Sequence, residues 1–179
     1  MAAQDTARLR ELILYVAEQS ECDPRFGKPK LFKILFYADF LCYRKTGRPL
    51  TGEQYLKEPL GPVPAGADSA LQALVKEGSL ALSRREYHGR PQQRPLALRD
   101  PDLSAFTGPE IALVSDVIRE LWDQNASEVS RISHDFIGWQ AASMGEAIPY
   151  ETMFVSDRPL TGAEYQRGAE LEAACHPMK

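Results

Sequence analysis

Lysines at 28, 30 and 33 open the run KPKLFK, ahead of a segment with helical apolar spacing. Cations in a first helical turn oppose the macrodipole, at about 0.3–1 kcal/mol each. Lys30 and Lys33 therefore either extend into water or form an electropositive end for an acidic surface or a phosphate. Tyr37 and Asp39 interrupt the apolar residues of the same helix. A tyrosine ring suits a core when its hydroxyl finds a partner at the edge. Asp39 must face water or meet an arginine or a backbone N–H. Gly61-Pro62-Val63-Pro64 makes a rigid corner: glycine allows φ > 0, the prolines hold φ near −65°, and Val63 is forced extended. Such a corner either aims the next helix or gives a partner a ledge with little ordering entropy left to lose. Ser130, Ser133, His134 and Trp139 form a further cluster. Ser130 and His134 share a helix face at i, i+4, but His134 and Asp135 are chain neighbours that do not face each other, so no triad results. Trp139 either locks the last helices into the core or anchors an interface.

Other chemistry finds no support. The sequence lacks GxxxxGK[ST], GxGxxG, GxSxG, HExxH and CxxC patterns, which would mark nucleotide, hydrolase or zinc sites. His88, His134 and His176 sit in separate segments without ligand spacing, so neither a metal nor a cofactor is expected. No residue-level pattern supports an enzyme. Cys22, Cys42 and Cys175 are odd in number and far apart, which reads as reduced thiols in a cytoplasmic protein. Arg84, Arg85, Arg90 and Arg94 crowd one short stretch and give either a solvated wing or a set of phosphate contacts.

These residues need elements to carry them. Leu9, Leu12, Ile13 and Val16 recur at helical spacing, predicting a helix over about 6–20 capped by Asp5 or Thr6. Pro29 opens a second helix that runs to about Lys45, apolar around most of its circumference and so central. Residues 47–66 hold four glycines and four prolines and make an ordered loop with a short edge strand near Tyr55–Lys57. A third helix over Ala70–Val75 ends at Gly78. Leu80, Leu82, a polar HGRPQQ tip, Leu96 and Leu98 predict a β-hairpin. Thr107-Gly-Pro-Glu110 and Asn125-Ala-Ser-Glu128 cap two more helices, the second carrying Val129, Ile132 and Phe136. A helical turn follows over Trp139–Met144, and Thr161 caps a last helix to about Ala174. The fold class is mainly α (α+β), a compact helical domain with one small β-hairpin. A hairpin following helices points to a winged-helix-like element.

With 179 residues and 44% apolar content, the chain suits a single domain over 1–179 with its own core. No run approaches the about 18 apolar residues of a membrane span, and the N-terminus lacks the pattern of a secretory signal. The net charge of −4 is uneven: residues 84–99 hold five arginines against one glutamate, whereas 100–179 hold 5 basic and 14 acidic residues. An acidic chain is a poor general nucleic-acid binder, but the arginine stretch is a local basic patch.

The run KLFKILFYADFLCYRKTGRPLTGEQYLKEPLGPVP resembles the signature of the Panacea domain family, also called SocA-like antitoxin domains. SEVSRISHDFIGWQAASMGEAIPY is similar to its second block, and SDRPLTGAEYQRGAEL to its C-terminal tail. The blocks lie at about 28–75 and 127–174. Lys30, Leu31, Lys33, Leu35, Tyr37, Ala38 and Asp39 match the first motif, Tyr55, Gly61, Pro62 and Val63 the second, and His134, Gly138 and Trp139 the third. The resemblance implies a helical domain that neutralises a cognate protein toxin of bacterial or phage origin, by occluding it or by presenting it to a protease. Among the matched positions, we take Lys30, Lys33, Tyr37, Asp39, Tyr55, Gly61, Pro62, Val63, His134 and Trp139 as the candidate partner-binding residues. The alternative is a DNA-binding regulator using Arg84, Arg85, Arg90 and Arg94.

Overall fold

A computed structural model describes residues 3–87 and 90–175, and the side chains of 6–84 and 92–172. The element order is α1 (Ala3–Gln19), α2 (Lys28–Thr46), β1 (Tyr55–Leu56), β2 (Val63–Pro64), α3 (Ala67–Lys76), β3 (Leu80–Tyr87), β4 (Arg90–Ala97), α4 (Gly108–Glu120), α5 (Ala126–His134), α6 (Ile137–Ala141), a 3₁₀ turn (Tyr150–Phe154) and α7 (Gly162–Cys175). The chain is mainly α with two small antiparallel ladders. The first helix starts at Ala3, so Asp5 and Thr6 fall inside its first turns and do not cap it.

Helix α2 organises the rest. Pro29 sits in its first turn, and Gly47 ends it at φ 73° with its N–H donating to Tyr43 O. Leu31, Ile34, Leu35 and Ala38 belong to one buried cluster with Leu12, Ile13 and Val16 of α1, Leu71 and Leu74 of α3, and Val114, Val117 and Ile118 of α4. Phe36 and Phe40 belong to a second cluster with Tyr55 and Ile148, against which Phe136, Trp139 and Tyr150 pack. Rings there meet edge-on or tilted, as aromatic quadrupoles prefer: Phe36 and Phe136 lie 5.3 Å apart at 74°, Phe40 and Tyr150 4.6 Å apart at 37°.

The predicted edge strand exists and has two partners. β1 pairs with β2 in the register Tyr55↔Pro64 and Leu56↔Val63. Its far side meets the segment before the 3₁₀ turn: Ile148 N–H donates to Tyr55 O at 2.8 Å, and Lys57 N–H to Glu146 O at 2.9 Å. β3 and β4 form the predicted hairpin. Thr107 with Glu110 and Asn125 with Glu128 cap α4 and α5 as capping boxes. Phe136, expected inside α5, instead precedes α6 in extended conformation, which turns its ring toward the aromatic cluster. α7 leaves the body: every residue from Val155 to Glu172 is exposed.

Candidate functional site

The lysines opening α2 do not form an electropositive end. Lys28 Nζ lies 2.5 Å from Asp68. Lys30 Nζ lies 2.6 Å from Asp23 Oδ2, with both side chains buried. Lys33 is buried and donates to the carbonyl of Pro62 at 2.8 Å. The expectation of an open cationic surface is thus corrected: each ammonium meets a carboxylate or carbonyl, which offsets the unfavourable macrodipole. Burial pushes the Lys33 ammonium down to about 8.

Asp39 is fully buried and takes hydrogen bonds from Thr51 N–H (2.6 Å), Thr51 Oγ1 (2.5 Å) and Tyr55 OH (2.6 Å). Burial pushes its carboxyl upward, against the pull of these donors. Burial, with the Asp39 charge beside it, holds the Tyr55 phenol well above its usual value. The pair ties the glycine- and proline-rich segment to α2 from inside, with neither side chain open to solvent. Tyr37, half-buried on α2, lies away from them beside α4 and α5.

Lys33, Gly61, Pro62, His134 and Trp139 do converge, on the loop 57–62 joining β1 to β2. Three alternate carbonyls of this loop each receive a side-chain donor from a different helix. Trp139 Nε1 of α6 donates to Glu58 O at 3.2 Å, Ser130 Oγ of α5 to Leu60 O at 3.0 Å, and Lys33 Nζ of α2 to Pro62 O at 2.8 Å. Gly61 takes φ 96°, a conformation that favours glycine. A Cβ at Gly61 would lie 2.2 Å from Ser133 Oγ and 2.7 Å from Lys33 Cε, so the backbone rests directly on those side chains. Val63 continues from this corner as the half-buried first residue of β2.

One flank of the loop is a stacked column. The His134 and Trp139 rings lie 4.0 Å apart at 13°. Lys57 Nζ sits 4.4 Å over the Trp139 ring and donates to Ala142 O at 2.9 Å. Ser130 Oγ also lies 3.5 Å from His134 Nε2, but its single proton goes to Leu60 O. At the tip the Leu60 side chain is 69% exposed. The arrangement is a backbone pinned at three points that holds one aliphatic side chain out in water.

Leu60 and Lys57 carried no signal in the sequence. An isolated leucine between prolines has no periodicity to reveal its facing, and the donors that pin it come from three distant segments.

The arginine stretch does not act as a set. Arg84 is exposed, whereas Arg94 is buried and donates to Glu21 O at 2.6 Å and Ser20 O at 3.4 Å. Arg94 is therefore not a phosphate contact: it holds the loop between α1 and α2 against β4. The side chains of Arg85 and Arg90 lie outside the described ones, as do His88 and His176. Among the described residues no three His, Cys, Asp or Glu side chains gather as a metal site, and no helix is long and apolar enough to cross a membrane.

A family model described as "Antitoxin SocA-like, Panacea domain" matches residues 31–140. The match runs from α2 through the pinned loop and the hairpin to α6. No curated protein and no solved structure matches the chain.

Proposed function

This chain belongs to the SocA-like antitoxin family of Panacea domains, and on that premise we propose that it is a non-catalytic binding module that neutralises a partner toxin by direct contact through the 57–62 loop face. The observation that carries this reading is the exposed Leu60 on a loop held by Trp139, Ser130 and Lys33. An apolar side chain in water on a fixed backbone loses little conformational freedom when a partner covers it. Ordering a mobile side chain costs about 0.5–1.5 kcal/mol on binding. The half-buried Trp139 beside it suits the aromatic anchor at the centre of an interface. A contact of about 1,600 Å² around these residues is enough to occlude a toxin's working surface. The polar chemistry of α2 supports binding over catalysis, because Asp39 and Lys30 already have their partners inside the fold.

Coexpression with the candidate toxin from the neighbouring open reading frame tests the reading. The parent chain is expected to restore growth and to co-purify with the toxin. Leu60→Asp, at an exposed position, is expected to keep the far-ultraviolet circular dichroism of the parent and to lose both. Full rescue by Leu60→Asp would remove the loop face from the interface.

A further inference from the structure

A second surface lies on the other flank of α2. Tyr37 and Leu41 of α2, Leu113, Val117 and Leu121 of α4 or its end, and Ile132 of α5 line a groove of about 350 Å³. Along α2 it runs from Tyr37 to Lys45, and along α4 from Leu113 to Glu120, with Leu121 and Gln124 past the end of that helix. At about 1.5 Å per residue that is roughly 10–12 Å, the length of about two helical turns. An apolar channel lined by two helices over that length can seat a helix through side chains at i, i+3 or i+4, and i+7.

The polar edge decides what kind of helix. Asp116 and Glu120 border the channel, and Lys45 is its one lining cation. Asp116 is already paired with Arg119. Glu120 and Asp135 form no ion pair among the described residues, and the charge of Asp135 reaches Tyr37. Gln124 Oε1 is buried at this edge without a hydrogen-bond partner among the described residues. The C-terminal end of α4 adds its own partial negative charge there. Acceptors and anions thus outnumber the single lining cation, Lys45, along the polar edge. Helix α7 is a poor occupant, since it brings Glu164, Glu170 and Glu172 against one arginine, Arg167.

We propose that the groove between α2, α4 and α5 is a docking site for a basic amphipathic helix of a partner protein. Its aliphatic side chains would sit on Tyr37, Leu41, Val117 and Ile132, and its flanking lysines or arginines would face Glu120 and Asp135. The site is separate from the loop face and does not depend on what that face captures.

The test uses the full chain and two fluorescent peptides of about 15 residues, long enough for a marginal helix. Both carry leucines at i, i+3, i+4 and i+7; one is flanked by lysines and the other by glutamates. Fluorescence anisotropy at about 150 mM salt, where exposed charges are screened beyond about 8 Å, should show the lysine peptide binding and the glutamate peptide not. Glu120→Lys with Asp135→Lys, both on exposed positions, should weaken the lysine peptide at least about tenfold, or about 1.4 kcal/mol. Leu41→Glu, with its fold checked by circular dichroism, should abolish binding although it adds a negative charge. Trp139→Ala, which affects the loop face, should leave the peptide affinity unchanged. Four outcomes would overturn the proposal: equal binding to Leu41→Glu, no binding of the lysine peptide, binding that appears only after truncation at Val155 (its own α7 as occupant), or a dimer of the parent that Leu41→Glu dissolves (a second copy as occupant).

Discussion

Lys33 is an ammonium held inside the fold by a carbonyl. Burial lowers it from the ordinary 10.5 to about 8. Between those values the folded state holds fewer protons than the unfolded one, so the Lys33 contribution to stability rises with pH across that interval and is absent below about pH 8. Tyr37, Tyr55, Tyr150 and Cys42 are all raised chiefly by burial and work in the opposite direction at alkaline pH. The difference between the parent and Lys33→Met therefore isolates the lysine. In urea unfolding, the stability of the parent relative to Lys33→Met should increase by up to about 3 kcal/mol from pH 7 to pH 10. A constant difference would mean that Lys33 titrates normally. The sequence revealed the helix that carries Lys30 and Lys33 but not which way they point. Their partners, Asp23 and the Pro62 carbonyl, lie outside that helix, and helical spacing alone marks both lysines as candidates for a solvated end. Asp39 was legible as a residue in need of a partner; that Thr51 and Tyr55 supply it was not.

At the scale of elements, the loop 57–62 depends on one backbone angle. Gly61→Ala forces an L side chain to φ 96°, costing about 1–3 kcal/mol. It also drives a methyl group into Ser133 Oγ and Lys33 Cε. Chemical denaturation should show Gly61→Ala destabilised by at least that amount, and Ser133→Ala in the same chain should relieve the contact with Ser133 but neither the one with Lys33 nor the angle. Full recovery would mean that the φ requirement is weak. The rigid corner at Gly61–Pro64 was readable from glycine and proline stereochemistry, and so was the short strand at Tyr55. Their pairing was not, because β2 is two residues long and ends in Pro64, which has no N–H to give. Helices α4 and α5 were legible from their capping boxes, since those signals lie within four residues of the sequence. The turn that directs Phe136 into the aromatic cluster answers to Phe36 and Phe40 across the fold, which no local pattern records.

Over the whole molecule, one helix borders both buried clusters. Leu31, Ile34, Leu35 and Ala38 face the aliphatic one, and Phe36 and Phe40 the aromatic one. The overall class, helical with small ladders, was accessible from periodicity. This division of α2 between two cores was not, because a helix apolar all round looks the same whether it meets one core or two. Its consequence is thermodynamic coupling: melting either half strips one face of α2 of its packing, and losing α2 dissolves both. Trp122 follows the end of α4, and Trp139 packs against the aromatic rings. Emission from Trp122→Phe and Trp139→Phe variants should follow thermal transitions that coincide with a single calorimetric peak, as expected for all-or-none behaviour. Two separate peaks would show that the halves come apart independently.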